Sequence, residues 1–223
     1  MNMLPQASLF LGIIPALFIL YISLKGYDAY YKDKTIFITF IAGIIMGFIA
    51  AFVQFYFFGL VIILLIALAV FNQLFKTIAL NTRSFQNKKE TPIYGLSLGL
   101  GFGSSFTPFM IIAASFSPLI PDDIYILSLI ALGSLGIMFF HGATGAYVGY
   151  GIYTGSLVKK LIISILLELP LGFLSMLTIS SDTSNLNTQI VFVVITIFYG
   201  FTVFWYVTKN ILPLIKEKKK NKK

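Results

Sequence analysis

The residues of this chain that could do chemistry are few, and all lie within long apolar segments. Asn72 and Gln73 are adjacent, and Lys76 follows one helical turn later. His141 is the only histidine, and Glu168 is an acidic residue inside an apolar segment. An ionisable side chain at bilayer depth costs a few kcal/mol or more, so each of these residues suggests a functional role.

These polar residues share a depth in the predicted membrane segments. At about 1.5 Å of rise per residue, Asn72 lies about 16 Å from Arg83, and Glu168 lies about 12 Å from Lys160. We therefore expect one polar intramembrane cluster, composed of Asn72, Gln73, Lys76, His141 and Glu168. Pro170 follows Glu168 and frees a backbone carbonyl about one turn earlier.

Each ionisable member of the cluster has a simpler interpretation beside the functional one. We expect the Lys76 side chain to snorkel to the membrane interface. Glu168 is either protonated and hydrogen-bonded to its neighbours or paired with Lys76 or His141, and a structural bond and a working proton site both remain open. His141 also fits the role of an interhelical hydrogen-bond donor.

A metal site is not favoured by this set of side chains. Zinc needs three or four good ligands, and one histidine, one glutamate and two amides supply too few. We therefore expect no cofactor, with zinc held by His141 and Glu168 as the weaker alternative.

The composition identifies a membrane protein. Of 223 residues, 58% are hydrophobic and 11% are charged, whereas about 25% are charged in an ordinary soluble domain. Mean hydropathy is +0.92. There is no cysteine, which excludes disulfides and thiolate metal sites. We predict an all-α polytopic bundle, formed by one transmembrane domain over residues 1–210 and a basic cytoplasmic tail over residues 211–223.

Apolar segments long enough to cross a bilayer occur seven times along the chain. They are Leu9–Leu24, Thr35–Gln54, Phe58–Leu80, Ile93–Phe116, Ile124–Tyr150, Leu161–Ile179 and Gln189–Thr208. The second and third segments are separated only by a predicted turn near Gly59. We expect the sequence GYGIYTG, residues 149–155, to leave the fifth helix and form a loop.

The basic residues alternate between successive connections. They cluster after the first, third, fifth and seventh segments, at Lys25, Lys32, Lys34, Arg83, Lys88, Lys89, Lys159, Lys160, Lys209, Lys216 and the tail lysines. The other connections carry no Lys or Arg, only Asp122, Asp123 and Asp182. The positive-inside rule then predicts an outside N-terminus and a cytoplasmic C-terminus in a multi-pass protein of a prokaryotic cell membrane. We interpret the lysine tail as a solvated topology anchor, with no nucleic-acid partner.

Small residues recur every four positions in the fourth segment. Gly95, Gly99 and Gly103 share one helical face, and Ser97, Gly101 and Ser105 form a stripe beside it. Such faces let a second backbone approach closely in lipid, where no hydrophobic force drives helices together. We therefore expect this helix to be central and to form a helix-packing face.

The order of these features resembles a known superfamily. The stretches FNQLFK, YGLSLGLGFGSSF and HGATGAYVGYG begin at Phe71, Tyr94 and His141. Their order, spacing and glycine pattern resemble PrsW-type intramembrane proteases, CAAX-protease-like (CPBP) proteins and the anterior-pharynx-defective scaffold subunit of gamma-secretase. The resemblance covers spans three to six, about half of the chain.

The resemblance implies a degenerate active site. The protease motif of two glutamates and a following base falls on Asn72, Gln73 and Lys76. The Phe-x-x-x-Glu motif falls on Phe102 and Phe106, its histidine falls on His141, and Glu168 lies near a further polar position. Neither an amide nor phenylalanine can take a proton from water near neutral pH. We therefore expect no catalytic residues and a pseudoenzyme.

Three functions follow from this interpretation. The first is a noncatalytic membrane scaffold or binding protein, in which the remnant cavity and the glycine face hold a partner membrane protein, a partner helix or lipid. The second is an active intramembrane protease that uses His141 and Glu168. The third is a small proton-coupled transporter in which Glu168 exchanges protons, although no internal repeat of the usual transporter kind is evident.

Overall fold

The computed structural model describes residues 4–56, 62–116, 124–180 and 186–216. Eight α-helices lie in these ranges: α1 Leu4–Leu24, α2 Asp33–Tyr56, α3 Ile62–Leu80, α4 Thr91–Ser104, α5 Phe106–Phe116, α6 Ile124–Thr154, α7 Leu157–Ser180 and α8 Leu186–Asn210. Short 3-10 helices follow α1 and α8, at Asp28–Tyr30 and Leu212–Ile215. All regular structure in the described ranges is therefore helical.

Most of these helices are long and apolar enough to cross a membrane. Five stretches qualify by length and composition: Asp33–Tyr56, Thr91–Ala113, Leu127–Thr154, Leu157–Thr178 and Leu186–Ile215. Two shorter apolar stretches, Ser8–Leu24 and Leu64–Leu80, accompany them. Large apolar side chains such as Phe18 and Phe198 are exposed on the outside of the bundle, as expected where lipid is the solvent. The prediction of an all-α, multi-pass integral membrane protein is confirmed at this level.

The fourth predicted segment is divided into α4 and α5 by a break at Ser105. The hydroxyls of Ser104 and Ser105 donate to the carbonyls of Gly101 and Phe102, each at 2.7 Å, in competition with the helical ladder. Pro108 lacks the N–H that would bond to the Ser104 carbonyl. These two effects explain why the helix ends and restarts within one apolar segment.

The helix that the fifth predicted segment forms, α6, is longer than the sequence predicts. The prediction that residues 149–155 leave the helix was wrong, because α6 continues to Thr154. The next residue, Gly155, has a φ of +72° and ends the helix. A Cβ at Gly149 would lie 2.6 Å from the Thr91 carbonyl oxygen, so this glycine serves close packing inside a helix. With 31 residues, α6 is about 46 Å long. The turn predicted near Gly59 lies outside the described residues.

The first residues of the predicted tail, 211–216, pack against the bundle. Ile211, Leu212 and Ile215 are buried against the bundle, and the Lys216 Nζ lies 4.0 Å from the centroid of the Tyr27 ring. The first turn after α8 is therefore part of the packed domain, since its apolar side chains find a core. Residues 217–223 lie outside the described part of the chain.

The glycine-rich helix α4 is the centre of the bundle. All 14 of its residues are buried, and it packs most extensively against α6 on one side and α2 on the other. A Cβ at Gly99 would lie 2.0 Å from the His141 carbonyl oxygen, and one at Gly95 would lie 2.2 Å from that of Gly145. The backbones of α4 and α6 therefore touch directly.

The second small-residue stripe of α4 faces α2. The Ser97 hydroxyl donates to the Ile36 carbonyl at 2.7 Å, and a Cβ at Gly101 would lie 2.1 Å from the Phe40 carbonyl oxygen. Both stripes are thus covered by helices of the same chain. The expectation that the face of Gly95, Gly99 and Gly103 holds a partner helix is corrected here, because α6 occupies that face.

We predict that Gly99→Ala destabilises the folded protein by about 1–3 kcal/mol, because the added methyl meets backbone atoms that cannot move aside. Thermal unfolding in detergent measures this effect. Gly133→Ala is the matched control, since its methyl would meet Val193 at an ordinary 3.6 Å and alanine favours helix by about 1 kcal/mol. Equal melting temperatures for the two variants would contradict the packing argument.

Candidate functional site

The candidate site lies where α3 meets α6 and α7. Asn72 and Gln73 lie on the side of α3 that contacts α7, and Lys76, one turn further along, contacts α6. The rest of α3 is largely apolar, so these residues supply its polar contacts to both neighbours. All three are buried, with exposed fractions of 7% or less.

Glu168 is held by the two amides of α3. Asn72 Nδ2 donates to Glu168 Oε1 at 2.7 Å, and Gln73 Nε2 donates to Oε2 at 2.6 Å. Each carboxyl oxygen therefore accepts one hydrogen bond, and these two bonds connect α3 to α7. Of the open alternatives, the structure has the one in which Glu168 is hydrogen-bonded to its neighbours. Neither Lys76 nor His141 is its hydrogen-bond partner.

Lys76 does not reach the membrane interface, contrary to expectation. Its side chain is fully buried, and Nζ donates to Thr144 Oγ1 at 2.7 Å and contacts His141 Nδ1 at 3.1 Å. Nζ also lies 5.5 Å from the centroid of the Phe102 ring. An ammonium group only donates, so a charged Lys76 requires Nδ1 to accept and the ring proton to be on Nε2. Two acceptors and an aromatic face replace the water that snorkelling would have supplied.

A small cavity adjoins this cluster. It has a volume of about 40 Å³, and its lining includes Asn72, Phe106, His141 and Glu168. Of the four positions on which the motif glutamates and histidine fall, the structure brings Asn72, Phe106 and His141 to one cavity, and Gln73 joins them through its bond to Glu168. The space accommodates a water molecule but not an extended peptide.

Some polar atoms beside the cavity lack partners. Within the described part of the chain, Asn72 Oδ1, Gln73 Oε1 and Ser164 Oγ are buried without a hydrogen-bond partner. An unsatisfied buried acceptor costs roughly 1–3 kcal/mol, so these oxygens favour a hydrogen-bond donor beside them. The arrangement is suited to binding a small hydrogen-bond donor.

The described residues contain no group of three His, Cys, Asp or Glu side chains that could hold a metal ion. His141 and Glu168 are the two members of those residue types that line the cavity. Beside them are amides and a lysine, and the lysine cation opposes a second cation nearby. These residues do not form a zinc site of the usual composition.

Sequence reasoning overlooked three contributors to the site. Thr144 lies three residues after His141 and Ser164 lies four before Glu168, so helical spacing alone could have placed both on the site's side of their helices. Tyr199 on α8 donates to the Leu167 carbonyl at 2.6 Å, close to Pro170. That carbonyl belongs to the turn of α7 before Pro170, but nothing in the sequence indicates which tyrosine reaches it.

The fold and the site together define a polytopic helical membrane protein with a buried polar cluster beside a small cavity. No family model matches this chain, and neither a curated protein nor a solved structure matches it. The resemblance to PrsW-type and CAAX-protease-like proteins therefore stays a prediction.

We predict that Glu168→Ala lowers the free energy of unfolding by about 2–5 kcal/mol, because it leaves two buried amide donors without acceptors. Glu168→Gln keeps one acceptor oxygen, so it should lower the free energy of unfolding clearly less than Glu168→Ala does. Denaturant unfolding in mixed micelles compares the two variants with the parent protein. An alanine variant as stable as the parent would show that these hydrogen bonds do not hold α3 to α7.

Proposed function

We propose that this chain is a noncatalytic relative of the PrsW and CAAX-protease-like proteins that acts as a membrane scaffold or binding protein. One observation carries the proposal. The positions on which the family's motif glutamates and histidine fall, Asn72, Gln73, Phe106 and His141, gather around one buried site although they come from three separate helices.

The chemistry of that site supports binding over cleavage. The two amides that replace the glutamate pair act as donors to Glu168, and phenylalanine occupies the third acidic position. Lys76 is engaged with His141 and Thr144. The cavity of about 40 Å³ leaves no room for a peptide bond with its flanking residues. A hydrolase needs both a free base and a substrate cleft.

The glycine face takes no direct part in this function, because α6 covers it. A partner membrane protein or lipid must therefore meet the outer surface of the bundle or the mouth of the cavity. The role we assign to the three glycines is to keep the bundle rigid.

We further propose that the chain crosses the membrane seven times, with α4 and α5 forming one span. The five long stretches and the two shorter ones together make seven apolar helical segments. In the described ranges, Lys or Arg lies in the connections that follow α1 and α3, in the first turn of α7 and at the end of α8. This pattern supports an outside N-terminus and a cytoplasmic C-terminus. We also propose a prokaryotic cell membrane as the location.

The topology is testable because the chain has no cysteine. Ala29→Cys is expected to react with a membrane-impermeant thiol reagent only after the cells are opened, since Lys25 and Lys32 flank it on the proposed cytoplasmic side. Ser184→Cys is expected to react in intact cells. Labelling of both cysteines from the same side would refute the seven-span arrangement.

We expect affinity purification in mild detergent to recover a membrane protein or lipid together with the chain, without stoichiometric zinc. Cleaved membrane peptides should be the same in cells that carry the parent chain, His141→Ala or no chain at all. Thr202→Ala, at an exposed position on α8, is the control for expression level. Recovery of the chain alone from every mild detergent would contradict the scaffold proposal.

The competing function is an intramembrane protease with rearranged chemistry. It is favoured by one observation, that His141 and Glu168 line the same cavity. Bound zinc, or a cleavage that stops in both His141→Ala and Glu168→Gln, would replace our proposal with this one.

A further inference from the structure

Two lateral clefts flank α2 at the lysine-rich end of the bundle. The cleft between α2 and α3 has a volume of about 580 Å³, and the one between α1 and α2 has a volume of about 510 Å³. Both fall within the range of about 300–1,000 Å³ that is typical of ligand sites. Each lies between helices that a membrane would surround with lipid.

The rim of the α2–α3 cleft is rich in unused donors. Lys32 and Lys88 line it, together with the hydroxyl-bearing residues Thr82 and Ser84. Among the described residues, no side-chain hydrogen bond or ion pair is made by any of these four groups. Glu90 is the single acidic residue in the lining. The rim therefore has a net charge of +1 and offers hydrogen bonds to an anion.

The interior of the same cleft is apolar. Ile38, Ala42 and Met46 line it from α2, Ala79 lines it from α3, and the buried Leu98 of α4 forms its floor. On α2 these three residues recur every four positions, so they form one continuous stripe that leads away from the charged rim. A charged rim above an apolar stripe fits an amphiphile.

The second cleft has the opposite charge. Lys25, Asp28 and Asp33 are the charged residues in its lining, which gives a net charge of −1. Its walls are apolar as well, with Leu20 and Phe37 among them. The two clefts are thus similar in size and wall chemistry but differ in their attraction for an anion.

We propose that the α2–α3 cleft binds an anionic phospholipid. The phosphate lies between Lys32 and Lys88 and accepts hydrogen bonds from the hydroxyls of Thr82 and Ser84. One acyl chain follows Ile38, Ala42 and Met46 along α2. The α1–α2 cleft repels the same lipid through Asp28 and Asp33. This site is separate from the buried cluster and does not depend on the function proposed for it.

Native mass spectrometry of the purified chain in detergent tests the proposal. The probes are phosphatidylglycerol, phosphatidylcholine with the same acyl chains, and inorganic phosphate. We expect phosphatidylglycerol to bind more tightly than phosphatidylcholine, and we expect its affinity to fall with added salt. Phosphate alone should neither bind nor compete, because it lacks the acyl chain.

Lys32→Gln combined with Lys88→Gln should weaken phosphatidylglycerol binding by roughly 30-fold, at about 1 kcal/mol per lysine near a membrane surface. Lys25→Gln combined with Lys34→Gln is the matched control, since it removes the same charge. Lys25 lines the α1–α2 cleft, and Lys34 lines neither cleft. Ala42→Phe fills the apolar stripe without changing charge and should also abolish binding.

Equal loss in both double variants would overturn the proposal by showing that overall charge is responsible. Equal affinity for the two lipids, or competition by inorganic phosphate, would overturn it as well. Unchanged binding in Ala42→Phe would place the acyl chain elsewhere and refute the cleft as the site. The proposal is supported if phosphatidylglycerol binding is lost in the Lys32 and Lys88 double variant and in the separate Ala42→Phe variant, but is kept in the control double variant.

Discussion

The structure depends on the contact between backbones that the absence of Cβ atoms on α4 makes possible. Gly95 and Gly99 bring the peptide groups of α4 against those of α6, at a distance that no side chain would allow. In lipid, dispersion and weak polar contacts between such backbones replace the hydrophobic force that holds soluble helices together. The same contact fixes the site, because the peptide group that meets Gly99 is that of His141.

The remaining constraint is that polar groups in the bundle must find partners within it. α3 is mostly apolar, and three of its polar side chains, Asn72, Gln73 and Lys76, form bridges to two different helices. The amides hold Glu168 of α7, while the lysine holds the histidine and threonine of α6. A single helix thus connects the acidic and basic halves of the cluster without a direct ion pair between them. This arrangement explains why the acid and the base can both stay inside the bundle at a distance from each other.

Much of this was readable from the sequence, for physical reasons that differ from residue to residue. Hydropathy predicts the helices because their backbone hydrogen bonds must be made within each segment. Helical rise places Asn72 and Glu168 at one depth, and the structure joins them by a hydrogen bond. The burial of Lys76 could not be predicted, since it depends on Thr144 and His141 of another helix. Gly149 was misread because a glycine that ends a helix and a glycine that packs inside one look the same in sequence.

The length of α6 has a consequence for the membrane itself. At about 46 Å it exceeds a hydrocarbon thickness of about 30 Å, so it must tilt or extend into the headgroup region. Near its last turns the Lys160 Nζ lies 4.3 Å from the centroid of the Tyr147 ring and bonds to its hydroxyl, an aromatic and basic pair typical of the polar boundary. The helix therefore has to lean or protrude, and the Tyr147 and Lys160 pair marks the level at which its last turns leave the hydrocarbon.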